Sequence, residues 1–189
     1  MSCGLTSGRT EPCRDNQGGI RFVYLFPYVD YLFNQIVGTK GVELTSFPTT
    51  TIYKYEIEEG NFSETITNNE DGISYSQNLS FNLFKQDLLT TRELNILTNI
   101  DFRYIVEYNN GDLKIGGLFN GANVNNLTIV SGGNKSSLNG YNISFESNEE
   151  YKSAFISDLA SVGFIVEQYL LLEDLTNILL ENSELLALE

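Results

Sequence analysis

Carboxylates are the only side chains in this chain close enough together to suggest acid–base chemistry: Glu56, Glu58, Glu59, Glu64, Glu70 and Asp71 share one short stretch. A working pair needs two carboxyl groups in environments that push their pKa values apart. These cluster around Gly60-Asn61 and Gly72, residue types of solvent-facing turns, where ordinary values are expected. A calcium loop fits no better. Asn68-Asn69-Glu70-Asp71-Gly72 is rich in oxygen ligands but lacks alternating ligand spacing and a closing bidentate Glu. The chain has no His, so neither imidazole bases nor imidazole metal ligands are open to it. It contains no Gly-x-Ser-x-Gly elbow. Gly116-Gly117 and Gly132-Gly133 lack the Lys-Ser/Thr ending of a phosphate loop and read as bends between strands. The expectation is a protein that is not an enzyme and uses no cofactor and no metal.

Cys3 and Cys13 make a poor zinc site without His. Either a local disulfide or reduced thiols lying against a neighbouring subunit fits. Reduced is the expectation, because no disulfide framework exists elsewhere. Asn-x-Ser/Thr triplets occur at Asn61, Asn78, Asn126, Asn134 and Asn142. With no secretory signal read at the start, they are taken as coincidence in a chain rich in Asn, Ser and Thr. The 12 Phe and 11 Tyr alternate with β-branched residues rather than basic ones, which suits packing better than base stacking.

At 189 residues the chain is long enough to bury a core without staples. The 25 Asp+Glu against 11 Lys+Arg leave a net charge of −14. That argues against a surface that grips nucleic-acid phosphates, which needs cations to release counterions. No uncharged apolar run reaches membrane-spanning length, so no membrane anchor is expected.

Positions 1–18, with Gly4, Gly8, Pro12 and Gly18, read as an arm without its own core. Positions 19–167 read as a mainly β (α+β) domain. Gly19–Phe26 predicts a first strand ending at Pro27, whereas Tyr28–Phe47 yields no clear assignment. Thr49–Thr67 predicts strand, with a hairpin at Glu58-Glu59-Gly60-Asn61. After a turn at Asn68–Gly72, Tyr75, Leu79, Phe81 and Leu83 alternate with Ser and Asn. Gln86–Asn99 predicts a short helix. Phe102–Ser147 returns to strand, with Asn110-Gly111 as a hairpin turn. A short helix or turn is expected near Glu149–Leu159, and a last strand over Val162–Tyr169. In 168–189, Leu171, Leu175, Ile178, Leu179 and Leu185 predict an amphipathic, acidic C-terminal helix. Arm and terminal helix suit contacts between subunits, and the helix equally suits folding back on its own domain.

An ordered series of short motifs carries a further likeness. It runs from Pro12-Cys13-Arg14-Asp15 and Gly18-Gly19-Ile20-Arg21-Phe22-Val23-Tyr24 to Leu79-Ser80-Phe81-Asn82-Leu83-Phe84-Lys85 with Arg92, Leu94 and Leu97. Ile105–Gly111, Gly117-Leu118-Phe119-Asn120-Gly121 and Gly140-Tyr141-Asn142-Ile143-Ser144-Phe145 complete it. In these the chain resembles a family of tail-tube-like virion proteins from phages of Bacteroidetes, including the ring proteins of crAss-like phages. The resemblance implies a tail-tube-like β-barrel or sandwich with a flanking helix. Its subunits would pair strands side by side into a sixfold or twelvefold homo-oligomeric ring around a channel for DNA. Other tail or portal-vertex proteins would be partners, and the protein would reside in the virion tail after a stay in the host cytoplasm. The acidic, Leu-rich 157–189 departs from the pattern and favours a ring that joins the tube to another component. On this reading Glu56, Glu58 and Glu64 are candidates for an acidic lumen or rim, and Cys13, Leu171, Leu175, Ile178 and Leu185 for assembly contacts. The alternative is a receptor-binding or adhesin-like β-sandwich module.

Overall fold

Strands dominate the computed structural model, which describes residues 18–30, 37–69, 72–134 and 137–167. The first half contains β1 (Ile20–Pro27), β2 (Val37–Thr39), β3 (Glu43–Ser46), β4 (Thr50–Glu56), β5 (Gly60–Asn69) and β6 (Gly72–Phe84). Helix α1 (Leu88–Leu97) follows, then β7 (Phe102–Tyr108), β8 (Leu113–Gly116), β9 (Asn123–Val130) and β10 (Gly140–Glu149). The chain continues through β11 (Ala154–Ile156), the single-turn α2 (Leu159–Val162) and β12 (Phe164–Glu167). Eight strands form one sheet in the order β12-β4-β1-β7-β8-β11-β3-β2, and four form a second in the order β5-β6-β10-β9.

β1 is apolar at nearly every position because both of its faces are buried, as a strand inside two layers must be. Val23 and Leu25 point into a core shared with the smaller sheet, where they meet Leu79, Phe81, Tyr141, Ile143 and Phe145. Phe22, Tyr24 and Phe26 point the other way, into a second core that the larger sheet makes by curling over itself. There Phe47 stacks on Phe164 with ring centroids 5.0 Å apart, and Phe26 meets both rings. A register shift between Ile20 and Phe22 lets Ile20 and Val23, three apart, face the same core.

Helix α1 closes one end of the shared core with Leu94 and Leu97. Asp87 caps it, accepting from the Thr90 N–H at 2.7 Å. The β7–β8 hairpin turns at Gly111, whose φ of 87° lies in the left-handed region.

Two expectations need correction. The Glu58–Asn61 turn is not a hairpin: β4 belongs to the larger sheet and β5 to the smaller. The buried Ile57 makes a corner there, its N–H bonded to Arg21 O, while Glu59 O accepts from Asn82 N on β6. At that corner a Cβ on Gly60 would sit 2.7 Å from Ile57 Cδ1, so a larger residue would have to turn the Ile57 side chain aside. The second correction concerns Glu149–Leu159, where the end of β10, a bend at 150–151 and strand β11 come first, and the expected short helix, α2, begins only at Leu159. Ala154 and Ile156 are buried in the second core, and pairing with β8 and β3 overrides local preference. The unassigned Tyr28–Phe47 stretch contributes β2 and β3. The expected C-terminal helix and N-terminal arm lie outside the described residues.

Candidate functional site

The outer face of the smaller sheet is built from strand alternation alone. On β6, Gln77, Leu79, Phe81 and Leu83 are buried, so Ser76, Asn78, Ser80 and Asn82 point outward. On β10, Tyr141, Ile143, Phe145, Ser147 and Glu149 are buried, leaving Asn142, Ser144, Glu146 and Asn148 on the same side. Register aligns these side chains in rows across the sheet. Asn61, Ser80, Ser144 and Asn126 make one row, and Ser63, Asn78 and Glu146 the next. Asn82, Asn142 and Thr128 make a third, with Glu59 at its end, where Asn82 Nδ2 donates to Glu59 Oε2 at 3.1 Å. A β-bulge between Val124 and Asn126 keeps both Val124 and Leu127 against the core.

Four of the five Asn-x-Ser/Thr triplets therefore share one face: those at Asn61, Asn78, Asn126 and Asn142. Positions i and i+2 of a strand project to the same side, so the triplets record an amide-and-hydroxyl surface. Sequence reasoning set them aside because it judged them one by one, while strand period and register together align them. The middle of the face is a shallow depression of about 410 Å³ that includes Asn61, Ser80, Asn126 and Asn142. Within the sheet rows Glu146 is the one charged member. The face offers many hydrogen bonds, almost no field and no nucleophile poised beside a base.

Among the described residues both flanks of this face are open. The ten-residue β5 and the eight-residue β9 each have one paired side, since they end the sheet. Each also exposes an apolar side chain on its inner side, Ile66 at 52% on β5 and Ile129 at 54% on β9. Long, partly apolar edges of this kind are templates for pairing with another chain.

Buried polar groups lie elsewhere, and they have a structural task. The loop 117–122 crosses between β8 and β9, and six of its backbone groups bond to side chains, most of them buried. Gly117 N donates to Gln77 Oε1 at 3.1 Å, and Phe119 N and Asn120 N donate to the two oxygens of Glu149 at 3.0 Å. Arg103 Nε donates to Leu118 O at 2.9 Å, Tyr28 Oη to Phe119 O and Ser147 Oγ to Gly121 O. Burial raises the pKa of Glu149, against the pull of the Asn120 and Phe119 N–H groups, Ser147 and Arg103. Arg103 is wholly buried, its guanidinium 4.1 Å from the centre of the Tyr28 ring, and Nη1 and Nη2 have no hydrogen-bond partner among the described residues. Burial lowers its pKa. The one sequence signal for this cluster is a charged residue inside the apolar run Phe102-Arg103-Tyr104-Ile105-Val106.

The acidic candidates are dispersed. Glu56 ends β4 on the larger sheet and is exposed; Glu58 is exposed in the corner. Glu64 lies on the inner face of β5, where Oε1 accepts from Gln77 Nε2 at 3.1 Å and from Ser153 N at 2.7 Å. The structure does not bring these three carboxylates together on the outer face. Cys13, Leu171, Leu175, Ile178 and Leu185 lie outside the described residues. Comparison with protein-family models, curated proteins and solved structures found no match.

Proposed function

We propose that the chain is a structural subunit of a phage tail, assembling into a ring or short tube through which DNA passes. The observation that carries this reading is the smaller sheet, a polar face with few charges between two edges that are open among the described residues. Pairing β9 of one copy with β5 of the next is a heterologous contact, and heterologous contacts generate rings when the rotation closes. Each contact would satisfy two rows of backbone groups and cover Ile66 and Ile129. The Asn/Ser/Thr face then walls the channel. Without Lys or Arg, phosphates have no counterion exchange to hold them, so the genome slides. In such a ring Glu64 faces the protein interior, and Glu146, with Glu59 at a row's end, supplies the charge on the channel wall. The resemblance to tail-tube-like proteins supports the same reading.

A receptor-binding module is the second reading, favoured by the Asn-lined depression, whose amides suit a neutral glycan. Negative-stain electron microscopy across a range of concentrations separates the two. Rings with an open centre support the assembly reading. Ile129→Lys is expected to abolish them while leaving the circular dichroism spectrum unchanged, because the residue is exposed. Compact particles at every concentration, identical for both proteins, would overturn self-assembly through this edge.

A further inference from the structure

We infer that the larger sheet beside β5 is a docking floor for β9 of a second copy, with Phe155 and Lys114 beneath its inward side chains. This rests on the ring reading and adds a second layer to the contact: the strand edges supply backbone pairing, and the floor supplies packing. Ala154 and Ile156 are buried in the second core, so strand alternation turns Phe155 to the other face of β11. Register sets it in a row with Lys114 and Val106, and Val106 belongs to the core that the smaller sheet covers. Phe155 therefore lies on the covered face of the larger sheet. It is nevertheless 46% exposed, because among the described residues the smaller sheet ends at β5. What remains is a groove of about 410 Å³ between Gly60, Asn61 and Phe62 of β5 and Tyr108, Lys114 and Phe155. No residue of β6 lines it, so it opens on the unpaired side of β5. Lys114 Nζ lies 4.7 Å from the centre of the Phe155 ring, which makes the floor one continuous surface.

The other end of the smaller sheet has the opposite deficit. On β9, Leu127 packs against the core, while Ile129, on the same side two residues later, is exposed. A floor without a roof at β5 and a roof without a floor at β9 fit together when one copy follows another. Strand direction agrees. All three pairings within the smaller sheet are antiparallel, so β9 runs opposite to β5. Rotation about an axis along the strands then sets it antiparallel beside the next copy's β5. Register can shift only in steps of two residues, since an odd step would turn Leu127 and Ile129 away from the floor. Charge agrees as well. β9 contains no charged residue, so it enters the groove beside Asp112 without adding to the repulsion between chains of net charge −14.

The test uses the full chain with a photoreactive benzoylphenylalanine at position 155, as an equal mixture of light and ¹⁵N-labelled chains. Sedimentation velocity reads assembly, and irradiation followed by peptide mapping reads contacts. The expected result is assemblies in which position 155 is joined to 123–130 in mixed-isotope products. Assemblies whose products lead elsewhere, residues 1–17 of the same chain included, would overturn the floor and leave the ring reading standing. Chains that stay monomeric at every concentration would overturn both. Phe155→Asp provides a second measurement; because the residue is exposed, the circular dichroism spectrum should be unchanged. The concentration needed for assembly should rise about tenfold, and Phe155→Leu should restore it. A threshold that Phe155→Asp does not move would also overturn the inference.

Discussion

Glu149 binds its proton more tightly in the folded protein than in the unfolded chain, because burial outweighs the hydrogen bonds and the Arg103 charge that favour the anion. Its contribution to stability is therefore largest below the ordinary carboxylate pKa and declines as pH rises through the raised folded value. Glu149→Gln removes that titration and leaves an amide that cannot accept from both Phe119 N and Asn120 N. The expected cost in urea unfolding is about 1–3 kcal/mol, with the gap between the two proteins widening toward acid. A gap that stays constant with pH would show that Glu149 does not titrate in this range. Arg103 shows the limit of reading at this scale. A charge within an apolar strand is visible in the sequence, but its burial depends on Tyr28, Phe47 and the loop 117–122 meeting around it.

Among elements, α1 was legible because its cap and its apolar spacing are local. The Asp87 carboxylate is pulled up by desolvation. The Thr90 side chain, the Thr90 and Leu89 N–H groups and Lys85 outweigh that and hold its pKa below the ordinary value. Its stabilisation is present above the unfolded carboxylate pKa and lost as pH falls through the depressed folded value. Asp87→Ala should cost about 1 kcal/mol at neutral pH, and thermal unfolding of the two proteins should converge in acid. A gap that persists in acid would assign the cost to packing rather than to the charged cap. The β4–β5 corner was misread for a physical reason. A Gly-Asn turn signal is the same whether the chain doubles back or crosses to another layer, and only the burial of Ile57 decides between them.

For the whole molecule, a net charge of −14 sets every copy against the next. Raising ionic strength from 0.01 M to 0.15 M shortens the screening length from about 30 Å to about 8 Å. If edge pairing drives assembly, the protein concentration at which rings form should fall over that range, as read by sedimentation velocity. A threshold that rises with salt would point instead to charge-paired contacts and away from the β5–β9 edges.

Several features follow from sequence alone because they depend on neighbours a few positions apart. These are strand alternation in β6 and β10, the Asn110-Gly111 turn, the short helix and the lack of imidazole chemistry. Tertiary structure decided what depends on register and layer. It divided the strands between two sheets, placed Glu64 on an inner face and aligned four Asn-x-Ser/Thr triplets on one outer face. A strand's period specifies which residues share a side, whereas pairing and packing specify whether that side meets a core, solvent or another copy.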